Sequence, residues 1–116
     1  MEFWGDGSTM TVRILVAEDE TLIRMDLVEM LQGAGYEVVA QATNGQEAIE
    51  LATTHKPDLA ILDVKMPVLD GISAAEKIIE IAPVLMLTAY SQKELVDRAR
   101  DAGVMAYVVK PFTIGD

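Results

Sequence analysis

Five short apolar runs recur along the chain, at residues 12–17, 36–40, 59–62, 84–87 and 105–109, and most are apolar at consecutive positions instead of alternating. A strand apolar on both faces has to be covered on both, as in a parallel sheet flanked by helices. Between the runs the spacing becomes helical. Residues 21–32 carry Ile23, Leu27 and Leu31 four apart, widened by Val28 and Met30, and Gly33 and Gly35 stop the pattern. Residues 46–54 follow an Asn44-Gly45 turn, present Ala48, Ile49 and Ala52, and end before Pro57. Residues 71–81 turn Ile72, Ala75, Ile78 and Ile79 inward. A fourth helix is expected from a Ser91 N-cap with Glu94 as capping-box partner; it buries Leu95, Val96 and Ala99 and stops at Gly103. The pattern predicts an α/β fold with a doubly wound five-stranded parallel sheet. Right-handed crossovers put every strand's C-terminal end on one edge, where ligands of such sheets bind near the reversal of strand order.

Polar residues gather at that edge. The first strand ends in Glu18-Asp19-Glu20, the third in Asp63, the fourth in Thr88-Ala89 and the fifth in Lys110-Pro111. Singly, each has an ordinary explanation: a solvated loop, a turn aspartate, a strand-end threonine, a surface lysine. Four such coincidences at four strand ends are another matter, and fold stability asks for none of them. Clustered carboxylates repel unless a hard cation neutralises them, and magnesium suits a few carboxylates, a carbonyl and several waters. An aspartate beside that cation can attack phosphorus. The charge on the transferring oxygens then needs the cation, an ammonium and hydrogen-bond donors, for which Lys110, Thr88 and the backbone N–H beside small Ala89 are available. The single histidine, His55, lies at a helix end away from this edge and reads as a surface residue.

Composition narrows the classes. Nineteen acidic against nine basic residues give a net charge of −10, which argues against direct nucleic-acid binding by this segment and suits a cation or a basic protein partner. There is no cysteine, so disulfides and thiolate metal sites are excluded, and a cytoplasmic location fits. No apolar run approaches the ~20 residues that span a bilayer, so no membrane role is expected. Residues 1–10 read as a tag remnant or disordered N-terminus, leaving residues 11–116 as one domain.

The motifs Val16-Ala17-Glu18-Asp19-Glu20, Leu62-Asp63-Val64-Lys65-Met66-Pro67, Asp70-Gly71, Leu87-Thr88-Ala89 and Val109-Lys110-Pro111-Phe112 together resemble the receiver domains of two-component response regulators, the flavodoxin-like, CheY-like fold. The resemblance implies that Asp63 is the phosphoacceptor, charged by a sensor histidine kinase or phosphotransfer protein. It implies Mg2+ held by Asp19, Asp63 and the backbone carbonyl of Lys65, with Glu18 acting through a water. Thr88 and Lys110 would bind the phosphoryl oxygens, and Thr88 and Tyr107 would form the switch. Such a domain is a phosphoacceptor switch that assists its own phosphorylation and dephosphorylation, not an enzyme acting on other substrates. It controls an output domain and can form a homodimer. A narrower similarity, carried by Thr21-Leu22-Ile23-Arg24-Met25-Asp26-Leu27, Ser91-Gln92-Lys93-Glu94-Leu95-Val96 and Asp97-Arg98-Ala99-Arg100-Asp101-Ala102-Gly103, points to regulators with an ANTAR-type RNA-binding output that act in transcription antitermination.

Two departures from the receiver pattern stand out. The stretch 71–83 is a few residues short, which calls for a tight loop or a gap in the numbering. The chain stops at Asp116, where a fifth helix, capped by Thr113, is expected to begin; without it one sheet face lies open. Rival readings are a receiver-like interaction module that is never phosphorylated and an aspartyl-phosphate phosphohydrolase. The second lacks the acid two residues after its nucleophile, since Lys65 stands there. A nucleotide-binding module lacks a phosphate-cradling glycine loop after the first strand.

Overall fold

The computed structural model describes residues 11–110. In chain order the elements are β1 (Arg13–Ala17), α1 (Thr21–Gly33), β2 (Glu37–Ala42), α2 (Gly45–His55), β3 (Leu59–Leu62), α3 (Gly71–Ile78), β4 (Val84–Thr88), α4 (Lys93–Ala102) and β5 (Ala106–Val109). The five strands form one parallel sheet in the order β2-β1-β3-β4-β5, the expected doubly wound arrangement. Strand order reverses between β1 and β3, so the crevice at their C-terminal ends is the natural ligand site.

Alternation along each strand divides the core in two. Leu15, Ala17, Ala60, Leu62, Val84 and Met86 face one side and pack with Ala48 and Ala52 of α2, Ile72, Ala75 and Ile78 of α3, and Ala99 of α4. Ile14, Val16, Ile61 and Leu87 face the other and pack with Leu27, Val28 and Leu31 of α1. Among the described residues α1 is the only helix on that second face, and Leu59, Leu85 and Val108 there are only partly buried. No fifth helix falls within the described residues; Pro111, Phe112 and the expected cap Thr113 lie outside them, as do residues 1–10.

Two sequence expectations need correction. Ser91 does not cap α4: the N-cap is Gln92, without a side-chain cap bond, and the first turn is held by Gln92's carbonyl, which accepts from Leu95 and Val96. The capping box with Glu94 is therefore not formed. The third helix ends at Ile78, not Ile81, because the N–H groups of Ile81 and Ala82 both turn back to the Ile78 carbonyl at 2.7 and 3.0 Å. That tightened turn is how residues 79–83 bridge α3 to β4 without extra chain. Asn44 and Asp70 are true caps, accepting from Glu47 N–H at 2.8 Å and Ser73 N–H at 2.9 Å.

Candidate functional site

The sheet's own hydrogen bonds carry three site residues into place, each one position past its strand. Glu18 N–H donates to the Ala42 carbonyl at 3.0 Å, Asp63 N–H to Ala17 at 3.0 Å, and Lys110 N–H to Thr88 at 2.7 Å. Their backbones are thus fixed by the ladders that hold β1, β3 and β5, and the side chains converge on one edge. Asp19, Glu20, Ile23, Asp63, Lys65, Met66, Pro67, Ala89, Tyr90 and Lys110 line a cleft of about 470 Å³ there.

Within the cleft a carboxylate oxygen from each of Glu18, Asp19 and Asp63 lies within 4.8 Å of the other two. Glu18 and Asp63 are buried and Asp19 is exposed. Burial, reinforced by the negative charge of Glu18, pushes the Asp63 carboxyl up to about 6, although the Thr88 hydroxyl and the Lys110 ammonium pull the other way. Burial also opposes the charge on Glu18. It is overcome by the Lys110 ammonium, 2.8 Å from Oε1, and by Glu20 N–H, 3.1 Å from Oε2, which hold Glu18 below its ordinary range. The available ammonium is therefore spoken for by Glu18, and Asp63 is left with a surplus of negative surroundings. That donor set, three convergent carboxylates with one cation among them, fits a divalent metal ion.

The Asp63 main chain is pressed from behind by α3. A Cβ on Gly71 would stand 1.7 Å from the Asp63 carbonyl oxygen, so only glycine fits, and Gly71 N–H donates to Val64 at 2.7 Å. This is the physical reason for the Asp70-Gly71 pair. Asp63 Oδ1 in turn accepts from Val64 N–H at 2.7 Å.

Thr88 is fully buried at the end of β4, beneath the cleft and not along its wall, and its Oγ1 accepts from Tyr90 N–H at 3.4 Å. Tyr107, on β5, is half-buried and donates its hydroxyl to the Tyr90 carbonyl at 2.5 Å. Burial and the Asp63 charge both raise the Tyr107 pKa. Sequence reasoning missed Tyr90, which ties these residues together: its ring also lies 4.1 Å under the Lys65 ammonium, across the cleft mouth. An aromatic residue two positions past the threonine was the available signal. His55 lies in the last turn of α2, at the opposite end of the sheet from the cleft.

A profile of the response regulator receiver domain matches residues 14–116. The chain belongs to the response-regulator receiver family. This receiver is 65% identical over 106 residues to the transcriptional regulatory protein PdtaR of Mycobacterium tuberculosis, covering 90% of the chain and 52% of PdtaR. It thus spans about half the length of that relative. It is 41% identical to the chemotaxis protein CheY of Bacillus subtilis, covering 89% of the chain and 88% of that protein. Among solved structures, a CheX-CheY-BeF3-Mg2+ complex from Borrelia burgdorferi superimposes with a TM-score of 0.82 at 27% identity, over 87% of the receiver and 79% of that chain. Among the receiver's described residues, no helix is long and apolar enough to cross a membrane.

Proposed function

We propose that this receiver accepts a phosphoryl group on Asp63 from a phosphohistidine donor and thereby switches an output surface. The observation that carries the reading is Asp63 itself: a buried carboxylate at a cleft floor, within 4.8 Å of two more. Asp19, Asp63, the backbone carbonyl of Lys65 and, through water, Glu18 would hold Mg2+. The ion would neutralise the carboxylates and the phosphoryl oxygens during in-line transfer.

In the transfer, an Asp63 carboxylate oxygen forms the new bond to phosphorus as the donor's P–N bond breaks, and the electron pair leaves with the imidazole. The product acyl phosphate adds about −1.5 to −2 charge beside Lys110. Lys110 then exchanges part of its bond to Glu18 for the phosphoryl oxygens. Thr88, buried just below, turns its hydroxyl toward the same oxygens and loosens its hold on Tyr90 N–H. The Tyr90 carbonyl is the acceptor for Tyr107, so this movement reaches β5 and the adjoining α4 surface. Thermodynamically this is a two-state equilibrium biased by contacts that differ between the states.

The CheY of the Borrelia burgdorferi complex was crystallised with BeF3 and Mg2+; beryllium trifluoride has the size and tetrahedral geometry of a phosphoryl group, which supports the same chemistry here. PdtaR's role as a transcriptional regulatory protein supports a transcriptional output. With the ANTAR-like motifs, we read that output as RNA binding in antitermination, carried by a domain beyond the receiver.

Intact-mass spectrometry after incubation with Mg2+ and acetyl phosphate tests the reading. One phosphoryl adduct is expected, absent in chelator and in Asp63→Asn. A folded, Mg2+-binding protein that takes no adduct would instead be an interaction module, and the phosphoacceptor role of Asp63 would be abandoned.

A further inference from the structure

Arg24 is half-buried in the first turn of α1 and reaches back over the loop that carries the acidic pair. Its Nη1 donates to the Glu18 backbone carbonyl at 2.8 Å, and its Nε donates to Gln41 Oε1 at 3.3 Å. Gln41 lies on β2, so one guanidinium fork ties the loop to the neighbouring strand. Glu20, the N-cap of α1, makes no side-chain cap bond; the loop's other ties are Glu18 N–H to the Ala42 carbonyl and Glu20 N–H to Glu18 Oε2, and neither holds the Glu18 carbonyl. The Glu18 carbonyl belongs to the rigid peptide plane that leads into Asp19. Whatever fixes that plane fixes the Asp19 N and Cα, leaving only φ and the side-chain rotamers to set where the exposed Asp19 carboxylate points. Among the described residues no hydrogen bond holds that carboxylate itself in place.

We propose that Arg24 is a positioning residue for the cation site, aiming Asp19 into the cleft by clamping the Glu18 carbonyl to β2 through Gln41. The inference rests on the Mg2+ reading given above. Residues that orient metal ligands characteristically change metal affinity about 10- to 100-fold when removed.

The sign of the effect separates positioning from charge. Arg24 is a cation close to a cation site, so electrostatics alone makes Arg24→Ala bind Mg2+ more tightly and leaves Arg24→Lys unchanged. Positioning makes both variants bind more weakly, because lysine has no planar fork to span two acceptors. Gln41→Ala removes the anchor without touching the charge and should also weaken binding.

The test is calorimetric titration of Mg2+ into each variant, with amide NMR shifts at Asp19 and Asp63 locating the ion and a melting curve showing the protein folded. The expected result is about tenfold weaker binding in Arg24→Ala and several-fold weaker in Arg24→Lys and Gln41→Ala. Should Arg24→Ala not fold, the lysine and Gln41 variants decide the matter. Unchanged or tighter binding in the folded variants, with wild type binding and Asp19→Asn not, overturns the role of Arg24 alone. Wild type that binds no Mg2+ overturns it together with the metal reading.

Discussion

An ionised Asp63 is unfavourable in the metal-free fold, and the direction of its pH dependence follows. Its folded pKa of about 6 lies above the ordinary 3.8, first because of burial. The folded chain therefore holds this proton more tightly than the unfolded chain does. Its stabilising contribution is full below pH 3.8 and is lost as pH rises through 6. Glu18 has the opposite sign: its pKa is lowered, so its contribution is present above 4.5 and lost as pH falls. In chelator, Asp63→Asn should thus gain stability over wild type between pH 4.5 and 7.5, by on the order of 2 kcal/mol in urea unfolding. A difference that stays flat across that range would mean Asp63 titrates normally. At this scale the sequence was largely legible, since Glu18, Asp19, Asp63 and Lys110 are each the first or second residue past a recognisable strand. The pairing of Lys110 with Glu18, the depth of Thr88 and the reach of Arg24 and Tyr90 were not, because side-chain direction at a strand end depends on which neighbour is close.

Elements aim these residues, and two of their joints can be tested. Gly71 opens α3 against the Asp63 carbonyl, and no side-chain rotation relieves a Cβ at 1.7 Å from backbone oxygen. Gly71→Ala should therefore cost about 3 kcal/mol and displace Asp63, so that urea midpoint and acetyl-phosphate labelling fall together. Asn44 caps α2 and Ser91 caps nothing. Asn44→Ala should lose about 1 kcal/mol and Ser91→Ala less than about 0.5 kcal/mol, read from urea midpoints. The helix starts show why sequence reading succeeded and failed. At Asn44 and Asp70 a short polar side chain accepts from the N–H three residues on and marks the start, whereas α4 starts at Gln92 with no side-chain cap bond to mark it. The third helix was overread because Ile79 and Ile81 continue its apolar spacing, while the need to reach Pro83 tightens the chain there. The strands were read to within one or two residues because buried parallel strands leave few polar interruptions.

Across the whole molecule, one parallel sheet holds the acidic residues at the β1/β3 reversal, Thr88 on β4 and Tyr107 on β5. A cation bound at that edge would bridge loops from different strands, so its binding energy should add to global stability. With Mg2+ at 100 times its dissociation constant the gain should be about 2.7 kcal/mol, seen as a higher melting temperature. The gain should vanish on adding EDTA and be much smaller in Asp63→Asn. The strand order also has a bearing on how the chain comes to be made. The three strands that lie side by side as β2-β1-β3 are the first three to be synthesised, and they already carry Glu18, Asp19 and Asp63. Lys110 follows β5, the last strand among the described residues and an outer strand of the sheet they form. The Lys110–Glu18 pair therefore joins residues 92 positions apart, and it can form only once β5 has been made and has taken its place beside β4.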